Sequence, residues 1–219
     1  MISVKHVFDT VLNKHYPRPK GVIGWVAGEV MVRQHRAETE WTVHLLDIQP
    51  TDTILEVGCG AGQAIKLTAE QASRGRVVGI DLSEQMVRSA TRRNGAAVKA
   101  GQVMLSQGTI AALPCKDEQF EKIMTIHTLY FWLEPHVSSP ALRELYRVLK
   151  PGGRIVLTLS TGKVNAQGEV EVWESLQSAL EEQIIPGMQR EGLKNVRIEQ
   201  GPTSRGYTSI AVIGEKEYR

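Results

Sequence analysis

The chain has 219 residues and a formal net charge of +2, from 26 basic and 24 acidic side chains. This length is typical of one α/β domain, expected at residues 51–219, with a helical extension at residues 1–50. The balanced charge offers no field that would attract nucleic acid or an anionic membrane. No apolar run reaches the roughly 18 residues of a transmembrane helix. The charged amino terminus lacks a signal-peptide core, which favours a cytoplasmic location; no pattern indicates an oligomeric state.

The extension is predicted to contain a long helix over Val26–Leu46. Met31 and His35 are four residues apart and therefore share one face of this helix, with Glu38 about one turn further. That face either looks into a ligand pocket or packs on the core with His35 at its edge. This aromatic-rich extension precedes the predicted sheet and has no strand to pair with it. We therefore expect it to close over the binding site as a lid.

The segment Ile54–Gly62 is the most informative part of the chain. Its apolar residues predict a buried parallel strand, and Gly58, Gly60 and Gly62 predict a tight turn that leads into a helix. Free backbone amides at the start of that helix can hold an anionic group. Cys59 lies in the turn and is interpreted as a small apolar filler.

A second apolar strand follows and ends in Asp81, where a carboxylate typically binds both hydroxyls of a ribose. Glu56 lies inside the first strand, where it would repel a pyrophosphate but attract the α-amino group of an amino acid. A ligand with a ribose at one end and an amino acid at the other is S-adenosylmethionine. A dinucleotide is the alternative, but Gln63 replaces the third glycine of its fingerprint.

Helical patterns alternate with most of seven strand-like apolar runs, which predicts parallel strands joined by helical crossovers. The last two strands are joined by a connection too short for a crossover, so we expect an antiparallel hairpin. A helix is predicted to start at Ser139-Pro140, and an amphipathic helix is predicted around Val170–Gln183. The predicted strands are Thr53–Val57, Val77–Asp81, Val103–Gln107, Lys122–His127, Arg154–Leu159, Val196–Gln200 and Thr208–Ile213.

The glycine turn, Glu56 and Asp81, together with the segments Gly108–Trp132 and Arg147–Leu159, resemble the class I S-adenosylmethionine-dependent methyltransferases. The resemblance is greatest to their small ubiquinone- and menaquinone-type relatives, and it covers residues 51–160. It implies a Rossmann-like α/β fold with a seven-stranded, mostly parallel sheet, a C-terminal antiparallel hairpin and helices on both faces. It also implies methyl transfer from S-adenosylmethionine to a small-molecule acceptor, with S-adenosylhomocysteine as product.

By this resemblance the glycine turn holds the methionine end of the cofactor, Asp81 holds the ribose, and Leu82 and Met86 pack against the adenine. The family usually has an acid at the end of the third strand, where this chain has Gly108–Ile110; the hydroxyl of Thr109 or a backbone carbonyl can replace it. The predicted cofactor residues are Glu56, Gly58, Cys59, Gly60, Gly62, Asp81, Leu82, Met86, Gly108, Thr109, Ile110 and His127. The predicted acceptor-pocket residues are Trp25, Met31, His35 and Tyr130.

Methyl transfer is an in-line displacement at a sulfonium, so the enzyme mainly aligns donor and acceptor. His127, at the end of the fourth strand, is the one well-placed candidate for a general base. Alternatively, it is a buried core histidine or a cofactor contact. The spacing of the six histidines predicts no metal site.

Two other functions stay open at this point. One is a nicotinamide-dependent oxidoreductase, and the other is an inactive methyltransferase-like partner subunit. The identity of the acceptor and of the methylated atom is not readable from the sequence, because enzymes of this class vary the acceptor pocket around a constant donor site.

Overall fold

The computed structural model describes residues 34–218 of the chain. Two of the predicted acceptor-pocket residues, Trp25 and Met31, lie outside the described residues. The predicted N-terminal helix is represented by α1 (Arg36–Leu45), which covers its C-terminal part. The start of that predicted helix also lies outside the described residues.

One eight-stranded sheet forms the centre of the described chain, with the strand order β3-β2-β1-β4-β5-β8-β7 and β6 paired to β5. The first five strands pair in parallel, whereas β6, β7 and β8 pair antiparallel. The predicted fold class, including the C-terminal hairpin of β7 and β8, is therefore confirmed. The strands are β1 (Thr53–Val57), β2 (Arg76–Asp81), β3 (Val103–Gln107), β4 (Phe120–Ile126), β5 (Leu149–Val164), β6 (Val170–Val172), β7 (Lys194–Gln200) and β8 (Tyr207–Glu215).

Helices connect the strands, as the alternating patterns predict. Ser83 caps α3, since its hydroxyl accepts a hydrogen bond from the backbone N–H of Met86 at 3.4 Å. A 3-10 turn spans Leu129–Phe131 and a π-helical turn spans Leu180–Ile184. The helices after α1 are α2 (Gln63–Gln71), α3 (Glu84–Arg93), α4 (Gly95–Lys99), α5 (Pro135–Val148), α6 (Glu174–Ala179) and α7 (Ile185–Glu191).

Two predicted elements were wrong in detail. The segment Val170–Val172 is not helical; it forms β6, which folds back on Gly162–Val164 of β5 through a turn at Gly168. Its valines alternate with a glutamate, a period-2 pattern that favours a strand. Helix α5 starts at Pro135, not at Ser139-Pro140, because Pro135 occupies the first turn, where a proline costs no hydrogen bond.

Helix α1 packs on the sheet and is part of the core. Its residue Val43 and the following Leu46 are buried in one cluster with Met124 of β4 and Val156 of β5. The hydroxyl of Thr42 also hydrogen-bonds that of Thr158 on β5 at 2.7 Å. This packing places the start of α1 beside the carboxyl end of β4.

Among residues 34–218, no helix is long and apolar enough to cross a membrane.

Candidate active site

A cleft of about 540 Å³ lies at the carboxyl ends of β1, β2 and β4. Open α/β sheets bind ligands at this edge, where the strand order reverses. The cleft gathers every predicted site residue that the structure describes. These are Glu56, Gly58, Cys59, Gly60, Gly62, Asp81, Leu82, Met86, Gly108, Thr109, Ile110, His127, His35 and Tyr130.

The glycine turn passes close to its neighbours at Gly58 and Gly62 and leaves open space at Gly60. A Cβ atom on Gly58 would lie 2.1 Å from Cγ2 of Thr128, and the residue has a φ of +78°. A Cβ on Gly60, at a φ of +50°, would meet nothing within 4 Å. Gly60 therefore presents bare backbone to the cleft, which a ligand can approach closely.

Asp81 holds the turn in place. Its Oδ2 accepts a hydrogen bond from the backbone N–H of Gly60 at 2.8 Å, and its Oδ1 accepts one from that of Ser83 at 2.8 Å. Burial nevertheless raises the pKa of Asp81, although these two amides lower it. A carboxylate has about four acceptor positions, so Asp81 retains capacity for two hydroxyl donors.

Glu56 has a buried carboxyl oxygen that is not satisfied. It is 3% exposed, and its Oε2 has no hydrogen-bond partner among the described residues. Burial, and to a smaller extent the charge of Asp81, raises the pKa of Glu56 well above its usual value. A buried carboxyl oxygen without a partner is costly, so it favours a ligand that brings a cationic donor.

The remaining predicted cofactor residues have simpler surroundings. Burial raises the pKa of the Cys59 thiol well above its usual value, which fits a filler and not a nucleophile. Met86 is buried, whereas Leu82 is half exposed at the rim of the cleft. Thr109 lies in a turn in which its hydroxyl accepts a hydrogen bond from the N–H of Ala111 at 3.4 Å.

His127 follows β4 with a φ of +55°, a left-handed conformation that is uncommon for a side chain with a Cβ. Its Nε2 is buried and has no partner among the described residues. Burial, with the nearby His35, lowers the pKa of His127 to about 3. The imidazole is therefore neutral at physiological pH, with an acceptor or donor position available.

Tyr130 is fixed to β5 at two points. Its hydroxyl donates to the carbonyl of Ser160 at 2.7 Å and accepts from the N–H of the same residue at 2.7 Å. Burial raises the pKa of Tyr130, so its hydroxyl does not ionise near neutral pH. Tyr130 therefore shapes the cleft as a rigid wall.

Further residues of the cleft were missed by the sequence analysis. Arg205, on the connection between β7 and β8, places Nη2 3.1 Å from Nδ1 of His35 and its guanidinium carbon 5.8 Å from the ring centre of Tyr207. The ring of Trp173 packs edge-on against Tyr207 at 6.1 Å. These residues are far from the glycine turn in the sequence and form no motif with it, so no local signal marked them.

The arrangement defines a class of protein. A sheet of this order, with a glycine turn after β1 and a carboxylate at the end of β2, is that of a class I methyltransferase. Comparison with known proteins agrees: residues 54–153 match the family model described as "Methyltransferase domain".

Named relatives give the same result. The chain is 31% identical over 144 residues to the uncharacterized methyltransferase YdaC of Bacillus subtilis strain 168, covering 66% of this chain and 76% of YdaC. It is 33% identical over 155 residues to the demethylmenaquinone methyltransferase of Symbiobacterium thermophilum, covering 70% of this chain and 57% of that protein. The chain belongs to the class I S-adenosylmethionine-dependent methyltransferases.

A solved structure has the same fold. The S-adenosylmethionine-dependent methyltransferase of Aquifex aeolicus superposes with a TM-score of 0.65 at 19% sequence identity, covering 87% of this chain and 97% of that one. At this identity the likeness concerns the fold alone. The predicted family, including its menaquinone-type relatives, and the enzyme class are thus confirmed.

Proposed function

We propose that the cleft binds S-adenosylmethionine and a small-molecule acceptor side by side, and that the chain transfers the methyl group between them. The observation that carries this proposal is the buried, unpartnered Oε2 of Glu56 in the same cleft as the bare backbone of Gly60. S-adenosylmethionine supplies an activated methyl group on a cationic sulfur. The chain holds the donor and the acceptor, aligns them for the displacement and excludes water from the cleft.

Each end of the donor has a fitting group. The α-ammonium of the methionine end satisfies Glu56, which is deprotonated as the ligand binds, because the opposite charge favours the carboxylate. The open face of Gly60 accommodates the methionine backbone. Asp81 uses its remaining lone pairs for the two ribose hydroxyls, while Leu82 and Met86 border the adenine.

The acceptor end of the cleft is formed by His35, His127, Tyr130, Trp173 and Tyr207. Ring systems of this kind suit a flat or apolar small molecule. The name of the demethylmenaquinone methyltransferase indicates a small-molecule acceptor for that relative, which supports the same class here. The identity of the acceptor and its methylated atom stay open.

We propose that His127 contacts the reacting group of the acceptor through Nε2. Its pKa of about 3 makes it a weak proton acceptor in the free protein. The sequence predicts that His127 acts as a general base. This role goes beyond contact with the acceptor, because it requires that the bound acceptor raise the pKa of His127. We expect no nucleic-acid partner and no association with a membrane, and we propose a cytoplasmic location.

A titration separates this function from its alternatives. Isothermal titration calorimetry should show one site for S-adenosylmethionine and S-adenosylhomocysteine and no heat with NAD. Glu56→Gln should weaken S-adenosylmethionine, whereas Glu70→Gln, an exposed glutamate on α2, should leave the affinity unchanged. Binding of NAD in place of S-adenosylmethionine would favour the oxidoreductase, and binding of neither would favour the inactive partner subunit.

A further inference from the structure

Three side chains with metal-binding atoms converge at the acceptor end of the cleft. His35 immediately precedes α1, Glu38 lies in its first turn, and His127 follows β4. One ring nitrogen from each histidine and one carboxylate oxygen of Glu38 all lie within 4.8 Å of one another. The two imidazole rings have their centres 4.3 Å apart. The spacing of these residues in the sequence showed no sign of this cluster.

Glu38 provides a second, independent observation. It is 0% exposed, and neither of its carboxylate oxygens has a hydrogen-bond partner among the described residues. Nδ1 of His35 lies 3.9 Å from Oε1 of Glu38, which is too distant for a hydrogen bond. Nε2 of His127 is likewise buried and unpartnered. The cluster thus contains three buried side-chain atoms that have no partner among the described residues.

A buried carboxylate needs a cation or a set of donors to offset its desolvation. Arg205 does not supply this, because its guanidinium contacts His35 and Gln34 and no contact with Glu38 is seen. The Tyr130 hydroxyl is engaged with Ser160. Two imidazoles and one carboxylate are the donor set that divalent zinc, iron and related ions prefer, and three protein ligands leave a position open for a substrate.

We propose that His35, Glu38 and His127 form a binding site for a divalent transition metal ion of zinc's class. Tetrahedral bonds of about 2.0–2.1 Å require donor atoms about 3.3 Å apart, so the side chains must approach by rotating about their own bonds. The exposed Arg205 must turn away from His35, which its place on a loop permits.

The site deepens the proposed function on which it rests, because His35 and His127 line the acceptor end of the cleft, so an acceptor could reach an ion held there. An acceptor hydroxyl or thiol bound there is more acidic than in water. Its proton passes to solvent, the acceptor atom then bonds to the methyl carbon, and the bond between that carbon and the sulfur breaks. In this form His127 is a ligand and no side chain has to act as a base.

Metal binding can be measured without cofactor or acceptor. The full chain, stripped with EDTA and dialysed, is titrated with Zn²⁺ by calorimetry, and with Co²⁺ while the visible absorption is recorded. We expect one ion per chain and intense cobalt bands from a site of low coordination number. Glu38→Gln and His35→Gln should each weaken Zn²⁺ by at least about tenfold. The matched control is His44→Gln, an exposed histidine on the same helix, which should bind like wild type.

Thermal unfolding gives a second readout. Zn²⁺ should raise the unfolding midpoint of wild type and of His44→Gln, and not that of Glu38→Gln. Without metal, Glu38→Gln should be at least as stable as wild type, because it removes an unpaired buried charge. Arg205→Gln should tighten Zn²⁺, since it removes a competing cation.

The proposal is overturned if wild type binds no stoichiometric Zn²⁺, if Glu38→Gln binds as tightly as wild type, or if Arg205→Gln binds more weakly. Should Glu38→Gln fail to fold, His35→Gln decides the matter, because His35 is 24% exposed and removable. Zinc binding without any affinity for S-adenosylmethionine would leave this site intact and refute the methyltransferase proposal; the reverse result would refute only the metal site.

Discussion

Oδ2 of Asp81 accepts a hydrogen bond from the backbone N–H of Gly60 at 2.8 Å. The carboxylate expected to bind the ribose therefore also braces the turn expected to hold the methionine end of the same cofactor. A single side chain at the end of β2 thus connects the two halves of the donor site. A substitution of Asp81 should therefore weaken the contacts at both the ribose and the methionine end of the ligand.

Asp81→Ala should weaken S-adenosylmethionine by about 1.5–3 kcal/mol, because charged hydrogen bonds are lost on one side only. Calorimetry on folded protein measures this directly. Asp81→Asn keeps one acceptor atom and should lose less. Asp47→Asn, at an exposed aspartate after α1, is the control. Unchanged affinity in Asp81→Ala would refute the ribose assignment.

Glu56→Gln should change how stability depends on pH. The pKa of Glu56 is raised in the folded state, so the folded protein binds one more proton than the unfolded chain above the usual carboxyl pKa of 4.5. In wild type without cofactor, this group's contribution to stability is therefore lost as pH rises from about 4.5 towards the raised folded pKa. Urea unfolding at pH 5 and pH 8 should show a smaller loss in Glu56→Gln than in wild type.

The same group predicts proton release on cofactor binding. When the α-ammonium satisfies Glu56, the carboxyl gives up its proton. Calorimetry at a series of pH values above the usual carboxyl pKa of 4.5, in buffers of different ionisation enthalpy, should detect this release in wild type and not in Glu56→Gln. Equal release by both proteins would mean that the proton comes from another group.

Gly58→Ala should destabilise the protein in two separable ways. Its Cβ would collide with Cγ2 of Thr128, and its φ of +78° is unfavourable for alanine. We expect a loss of about 2–4 kcal/mol in the free energy of unfolding. Gly168→Ala, with a φ of +84° and open space, isolates the backbone part at about 1–2 kcal/mol.

Thr128→Ser removes the methyl group with which the new Cβ collides. Combined with Gly58→Ala, it should restore the part of the lost unfolding free energy that comes from the collision, and not the part that comes from the backbone conformation. The double-mutant cycle from urea unfolding measures this coupling. Simple additivity of the two changes would show that the turn relaxes away from Thr128 and that its close approach is not required.

His127→Asn should lower the rate of methyl transfer and leave S-adenosylmethionine affinity within about twofold. Asparagine tolerates the left-handed backbone at this position, so the fold is kept. If the histidine acts on the acceptor's proton or ligates a metal, the loss should be about 10²–10⁴. The formation of S-adenosylhomocysteine with an acceptor that wild type turns over measures it. Recovery of the rate at saturating cofactor would instead assign His127 to cofactor binding.

The two ends of the predicted extension should behave differently on removal. Deleting residues 1–46 removes α1 and exposes the buried cluster around Met124 and Val156, so the remaining chain should be strongly destabilised. Deleting only residues 1–33 should retain cofactor binding and, if those residues form the predicted lid, abolish turnover. Full turnover by the shorter deletion would end the lid hypothesis.

The sequence by itself predicted the residues on the glycine-turn side of the cleft. The alternating strand and helix patterns, the glycines of Ile54–Gly62 and the carboxylate of Asp81 are local signals, because strand ends and tight turns are encoded by neighbouring residues. Every described residue predicted to touch the cofactor lines the cleft. The segment of β6 was predicted as helix, because three residues are too few for their alternation to outweigh the helical pattern that follows, and the strand is stabilised by pairing with β5.

Only the tertiary structure decided the acceptor side. Glu38 and His127 meet because α1 packs on β4 and β5, and Arg205 contacts His35 from the connection before β8. The pattern that predicts a helix over Val26–Leu46 is compatible with a His35 that faces the core or one that faces the pocket. In the structure the C-terminal part of α1 packs in the core, while His35 at its start lines the cleft. The orphaned oxygens of Glu38 and the low pKa of His127 arise from burial. Burial of this kind depends on elements far apart in the chain, so no local pattern can reveal it.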